Sequence, residues 1–293
     1  FTILKLLLVG SFIVGGFCLG DFSRLTAETP AETWQTMLTP GFAIGLIFVT
    51  YAYTGWNGSA YIAGEVKNPS KSLPLAFALG TLIVTLIYLG LNTVFLISAP
   101  VDALSGTIEI GAITAASLFG THTGQIFSIV IALLLVSSLS AMIMAGPRIY
   151  QSMGADYPAF RFLTRRKGDS GPICAIILQA LISIGMLLTA RFDELITYMG
   201  FTLSVSSALT VFGLFVMRHR APNAPRPYRC WGYPVTPILF IGLSLWMIIF
   251  TFIQTPQVAI AGTATILAGL GLYFLVRPKD AIPHNNVKNN VNR

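Results

Sequence analysis

The chain has 293 residues, of which 54% are hydrophobic and only 10% charged, with a mean hydropathy of +0.74. A soluble domain carries about 25% charged residues, so the composition excludes an ordinary soluble enzyme and indicates an integral membrane protein. The net charge of +7 follows from basic residues gathered in loops and requires no nucleic-acid partner.

A membrane span needs about 20 mainly apolar residues. Hydropathy predicts eight spans, at 1–20, 41–63, 74–98, 125–147, 172–190, 196–217, 235–253 and 257–276. The expected fold class is therefore all-α integral membrane. One membrane domain covers 1–276, and the Asn-rich tail 277–293 is expected to be disordered.

The first span has no basic leading region and no small-residue cleavage site, so it is not a signal peptide. The chain enters on Phe1 in an apolar run, which reads as a protein lacking its N-terminal part. Lys5 lies within this span. Two readings of it stand side by side: a charge facing the bundle interior for a function, or a side chain snorkelling to the interface.

The segment 21–40 is polar and acidic. Span 41–63 then changes character midway, with Tyr51, Tyr53, Thr54, Gly55, Trp56, Asn57, Gly58 and Ser59 in succession. A lipid-facing helix has no use for such a cluster. Backbone unwinds at membrane depth only where it is buried in protein or lines a wet cavity. Gly55 and Gly58 lack the Cβ that would restrict φ. The break falls near the midplane, where transporters with discontinuous helices bind substrate. The plainer alternative is close helix packing at the glycines and an interfacial tyrosine belt.

Farther on, Glu109–Phe119 is expected to form a short surface helix. Span 125–147 carries Ser137, Ser138 and Ser140. Such hydroxyls usually bond back to their own helix or join helices, and packing is expected for two of the three. The basic segment 148–171 is expected to hold an amphipathic helix over 149–162. Thr202, Ser204, Ser206 and Ser207 pose the same ambiguity in span 196–217. The segment 218–234, with Pro222, Pro225, Pro227 and Pro234, should be an extended connector.

Charge sets the orientation. Fifteen of the eighteen Lys and Arg fall in 64–73, 148–171, 218–234 and the tail, against two, Arg24 and Arg191, on the opposite side. The C-terminal tail is thus expected in the cytoplasm. No enzyme constellation appears. His122, His219 and His284 lie in loops or the tail. Cys18, Cys174 and Cys230 have no metal-ligand spacing and are expected as free thiols. Of the eleven acids only Glu65 lies at a predicted span end. No catalytic residue, metal or cofactor is expected.

The stretch from Tyr51 to Pro74 resembles the sixth transmembrane helix and following loop of the amino acid–polyamine–organocation (APC) transporters. Their pattern is F-x-Y-x-G-W, then E-E, N-P and L-P; here it is Tyr53-Thr54-Gly55-Trp56-Asn57, Glu65, Asn68-Pro69 and Leu73-Pro74. Phe1 to Lys5, Ala145 to Tyr150, and Arg226-Pro227-Tyr228 with Pro234 are similar to three further stretches of that family. The resemblance implies a LeuT-like inverted-repeat fold whose helices five to twelve are the eight spans, with a broken helix at 41–63. It also implies that N-terminal helices are needed to complete the site.

By the same resemblance, backbone carbonyls of Tyr51, Ala52 and Thr54 would face a substrate ammonium, and the Tyr51 ring would lid the site. Gly55 would permit the turn, and Trp56 and Asn57 would line or brace the cavity. Lys5 would serve coupling, standing where relatives hold sodium. Glu65 and Arg148 form a possible cytoplasmic gate. Gly64 departs from the E-E pair and weakens any network using the first acid.

The implied protein is a sodium-independent amino acid permease of the cytoplasmic membrane, exchanging or proton-coupled, working by alternating access. Thr54, in place of a common glycine, favours a small neutral amino acid. The rival reading is a transport-inactive homologue or fragment acting as sensor or scaffold. A polyamine transporter ranks lower, because the spans hold almost no carboxylates. The partners implied are an amino acid and the lipid bilayer; the sequence assigns no accessory subunit.

Overall fold

The computed structural model describes residues 2–26, 37, 39–55, 66–164, 171–226 and 228–276, apart from the side chains at 2, 141, 144 and 145. Among the described residues every regular element is a helix. In chain order these are α1 (Thr2–Leu19), α2 (Pro40–Ala52), α3 (Pro69–Ser98), the single turn α4 (Val101–Leu104), α5 (Ile110–Phe119), α6 (Thr121–Asp156), α7 (Ile173–Thr189), α8 (Phe192–Arg220), α9 (Val235–Gln254) and α10 (Pro256–Val276). Short 3-10 segments cover Phe22–Thr26 and Pro158–Thr164.

The starts of these helices follow local chemistry. Pro40, Pro69 and Pro256 open α2, α3 and α10. At the first helical position the missing N–H has no intrahelical acceptor to lose, and the fixed φ suits the helix. Asn68 precedes α3 with φ 52°, a left-handed conformation that asparagine tolerates better than most residues. Glu194 opens α8 by accepting the backbone N–H of Arg191 at 3.0 Å.

Five helical stretches are long and apolar enough to cross a membrane: α3, residues Thr121–Ser140 of α6, α8, α9 and α10. The other three of the eight expected spans, α1, α2 and α7, are apolar but shorter, at 18, 13 and 17 residues. Leucines such as Leu188 and Leu275 are 79% and 85% exposed. Helices that are apolar all round and expose leucine belong in lipid, so the chain is a multi-pass membrane protein.

The chain divides into two compact units: residues 1–39, 53–142 and 223–231 in one, and 40–52, 143–222 and 232–293 in the other. In the first, α1 lies against α3 and α5. Its core is Phe12, Val94 and Ala115, with the Phe12 ring stacked on Phe127 at 4.7 Å. Gly16 is the point of closest approach, since a Cβ there would meet the Val94 side chain. In the second, α8 is central and packs against α2, α9 and α10. Phe201 sets its ring edge-on to Phe252 at 5.6 Å.

Three expectations need correction. The helix at 110–119 forms, but it is no surface helix: Thr114 and Ala115 are fully buried, because α1 and α3 cover it. The predicted span 125–147 and the amphipathic helix over 149–162 are not separate. α6 runs without interruption through Pro147 to Asp156, and 3-10 backbone follows. Proline removes one N–H from a helix, yet α6 continues past that loss to Asp156. Finally, Glu65 is not alone among the acids in lying at a span end, since Asp193 and Glu194 do so as well. They occupy the first turn of α8, where the helix dipole favours acids.

Candidate functional site

α2 begins as the apolar run Pro-Gly-Phe-Ala-Ile-Gly-Leu-Ile and ends at Ala52 after 13 residues, well short of a span. Its inner face is fixed within its own unit. Ala43 and Ile47 are buried, and the Thr50 hydroxyl donates to Met247 Sδ at 3.7 Å. Gly200 on α8 makes that seat possible, because a Cβ there would collide with the Ile47 side chain. The helix thus presents its C-terminal, negative dipole end at Tyr51 and Ala52. Tyr51 is 39% exposed.

Helical structure then stops. Tyr53, Thr54 and Gly55 form a turn, and Gly55 has φ +109°. Only glycine adopts that conformation without strain, so the residue type and the backbone agree. Tyr53 anchors the turn to α3: its hydroxyl donates to Thr85 Oγ1 at 3.0 Å. Thr85 in turn donates to the Thr81 carbonyl at 2.8 Å. The Tyr53 ring meets Tyr88 edge-on at 5.3 Å. Sequence reasoning gave Tyr53 no role beyond the motif; a tyrosine beside a glycine break, with Thr85 and Tyr88 in the next span, was the available signal. Trp56, Asn57 and Glu65 lie outside the described residues.

Lys5 is half-buried on α1. Its ammonium donates to Ser138 Oγ on α6 at 2.6 Å, so the side chain turns toward a neighbouring helix within its unit. Ser140, by contrast, bonds back to the Val136 carbonyl at 2.9 Å. Ser138 is therefore the serine of its group that meets a side chain outside its own helix. Among the described residues Lys5 has no carboxylate partner. Arg148 is exposed on α6 one position after Pro147. Tyr51 and Ala52 thus end α2, Thr54 and Gly55 follow them in the turn, and Lys5 pairs with Ser138. The structure does not pair Arg148 with a described acid.

No group of His, Cys, Asp and Glu suited to a metal ion occurs among the described residues. The arrangement on hand is a helix C-terminus followed by glycine-permitted turn backbone. Carbonyl-rich backbone of this kind binds cations such as ammonium groups and offers no nucleophile or acid–base pair.

The chain is similar to known proteins over most of its length. The model of the amino acid permease family matches residues 1–276. The serine/threonine exchanger SteT of Bacillus subtilis (strain 168) is 28% identical over 293 residues, covering 96% of this chain and 64% of that protein. The large neutral amino acids transporter small subunit 2 of Mus musculus is 26% identical over 280 residues, 94% of this chain and 52% of its own length. The Asc-type amino acid transporter 1 of Mus musculus is 24% identical with the same coverage. The chain spans between about half and two-thirds of the length of these curated relatives.

Proposed function

Since the chain belongs to the amino acid permease family, we propose that it carries the second part of an amino acid transport site and works as a sodium-independent permease by alternating access. The observation that carries this reading is the end of α2 at Ala52, followed by the Gly55 turn at φ +109°. In it the backbone carbonyls of Tyr51, Ala52 and Thr54 receive the substrate ammonium, favoured by the negative end of the helix. The Tyr51 ring closes over the substrate, and Trp56 and Asn57 line the far side. Lys5, held by Ser138, supplies a fixed positive charge where a sodium-coupled protein would need a cation. Glu65 with Arg148 acts as a gate at the basic, cytoplasmic face, and the C-terminal tail lies on that side of the cell membrane.

The substrate in this reading is a small neutral amino acid, because Thr54 takes room that glycine would leave. A serine/threonine exchanger among the relatives is consistent with that size; a large neutral amino acids transporter is the competing precedent. The mode in this reading is exchange or proton coupling.

Counterflow in proteoliposomes without sodium tests the proposal, with the complete gene product and a panel of neutral amino acids. Saturable exchange of small neutral substrates that falls at least about tenfold in Lys5→Ala is expected from the cost of losing an intramembrane charge and its partner. Exchange that requires sodium, or that Lys5→Ala leaves unchanged, overturns the role of Lys5. No exchange across the panel overturns the transport reading in favour of a sensor or scaffold.

A further inference from the structure

α6 runs for 36 residues and carries Gly146 and Pro147 within it. Pro147 has no backbone N–H, so the carbonyl of Ile143 loses the donor that an unbroken helix supplies four residues on. Pro147 is buried, and a buried carbonyl without a donor is costly. Helices commonly kink at such a proline. α6 nevertheless continues to Asp156, which calls for a replacement donor at this turn.

Gln179 of α7 stands at that turn, within the same unit. A Cβ on Gly146 would fall 2.9 Å from Gln179 Cδ and 3.0 Å from Nε2, with Oε1 nearer still. The amide therefore occupies the seat of the side chain that residue 146 lacks. The reach of that seat is fixed by helix geometry. A serine or threonine hydroxyl carried on a helical Cβ bonds the carbonyl three or four residues back, and three back from Gly146 is Ile143. Gln179 Oε1 is buried and has no donor among the described residues. Half a turn of the amide exchanges that oxygen for Nε2, which carries two N–H donors. One rotation thus relieves both faults, the acceptor without a donor on α7 and the carbonyl left open on α6.

From this geometry we propose that Gln179 Nε2 donates to the Ile143 carbonyl in place of the N–H that Pro147 lacks, and so acts as a positioning residue for Arg148. The consequence for transport rests on the gate reading of Arg148; the hydrogen bond does not. Arg148 follows Pro147 directly. Beyond it the end of α6 is held as well. A Cβ on Gly154 would collide with the Phe160 carbonyl and the Thr164 side chain, and the Tyr157 ring meets Phe160 and Tyr273 edge-on at 6.4 Å each. Arg148 stands between these two fixed points. Without the Gln179 bond the turn at 146–147 is free to bend, and Arg148 moves with it.

A double-mutant cycle on the complete gene product tests the bond. Gln179→Met keeps the length and removes the donor, whereas Pro147→Ala restores the N–H that Gln179 replaces. Gln179→Met should lower the melting temperature by about 2–4 °C, the scale of one hydrogen bond, and by less than about half as much in the Pro147→Ala background. Gly146→Ala should lower it too, because the methyl takes the seat of the amide. Counterflow reads the positioning role: Gln179→Met should cut Vmax about threefold or more with KM kept, since the Tyr51–Gly55 turn is untouched, and Pro147→Ala should restore it. Equal melting losses in the two backgrounds overturn the proposal, because a glutamine that merely packs does not sense the N–H of residue 147. Exchange unchanged by Gln179→Met, or a raised KM with Vmax kept, overturns the positioning of Arg148. Should Gln179→Met not fold, the double variant decides: recovery of folded protein supports the bond, and its failure overturns it. Absence of exchange in the unaltered protein speaks against the transport reading instead, and the melting cycle then decides the bond by itself.

Discussion

The position of α2 rests on Gly200, and this can be tested quantitatively. A Cβ built on Gly200 would stand more than about 1 Å inside the roughly 3.5–4.0 Å optimum for carbon–carbon contact, against the Ile47 side chain, and 3.4 Å from the Ile47 carbonyl oxygen. Ile47 is only 1% exposed. It is β-branched and stiff at χ1, so it cannot swing away. Gly200→Ala must push α2 off α8, and overpacking of this kind costs about 1–3 kcal/mol. Ile47→Ala alone should cost about 2–5 kcal/mol through the cavity it leaves. Together the two should be less harmful than their sum, because the alanine methyl enters the vacated space, and a favourable coupling of about 1–2 kcal/mol is expected. Thermal unfolding of the four proteins in one detergent supplies the cycle. Counterflow then asks whether displacing α2 also displaces Tyr51 and Ala52, since both sit on its last turn. Equal costs for Gly200→Ala in the two backgrounds would refute the packing argument.

Three further predictions follow from separate contacts. Gly55→Leu forces a branched side chain into φ +109°, which costs about 1–3 kcal/mol; counterflow should collapse, whereas Gly45→Ala, with open space around its Cβ, should be neutral or stabilising by up to about 1 kcal/mol in a melting assay. The Arg218 guanidinium lies 3.5 Å from the centre of the Tyr233 ring, so Tyr233→Leu should destabilise by about 0.5–2 kcal/mol while Tyr233→Phe retains most of the contact. Asp21 accepts the Ser23 hydroxyl at 2.6 Å and the Ser23 N–H at 3.0 Å, and these bonds hold its carboxyl below the ordinary carboxylate value. A lowered folded-state value stabilises above the unfolded pKa and is lost as pH falls through the folded one. The stability gap between the unaltered chain and Ser23→Ala should therefore be present at neutral pH and vanish on acidification below the carboxylate range.

The sequence predicts the helices because apolar length is a local property. Seven of the predicted spans overlap described helices, α6 running on through Pro147 to Asp156; of the span 41–63, α2 covers 40–52 and the stretch from 56 lies outside the described residues. In α6 the proline rule was too strong: the helix continues past Pro147 through a mixed polar stretch to Asp156. The turn after Ala52 was signalled by Gly55 among aromatic and polar residues, against the alternative of close helix packing at the glycines. What could not be read was partnership. Lys5 stands out as an intramembrane charge, yet Ser138 is 133 positions away and looks no different from Ser137. Gly200 reads as one more small residue until Ile47 is set against it. The burial of Thr114 and Ala115 likewise depends on α1 and α3, so local hydropathy could place a helix at 110–119 but not say what covers it.

The hydroxyl-rich spans show why the site should be sought at the helix break and at Lys5. Thr202, Thr210, Ser244, Thr251 and Thr263 each donate to a carbonyl one turn back. A hydroxyl bonded in this way has spent its donor on its own helix and has little left for a substrate. Ser204 on α8 differs: it is 3% exposed, and its Oγ has no partner among the described residues. If that hydroxyl serves nothing, Ser204→Ala removes an unsatisfied buried polar group and should be neutral or stabilising by about 1–3 kcal/mol, with counterflow unchanged. If Ser204→Ala instead lowers exchange while the melting temperature holds or rises, the hydroxyl meets a ligand or a segment outside the described residues. The candidate site would then extend from the α2 terminus onto α8. Measuring stability and exchange on the same preparation separates the two outcomes, because a packing residue moves the first and a ligand contact moves the second.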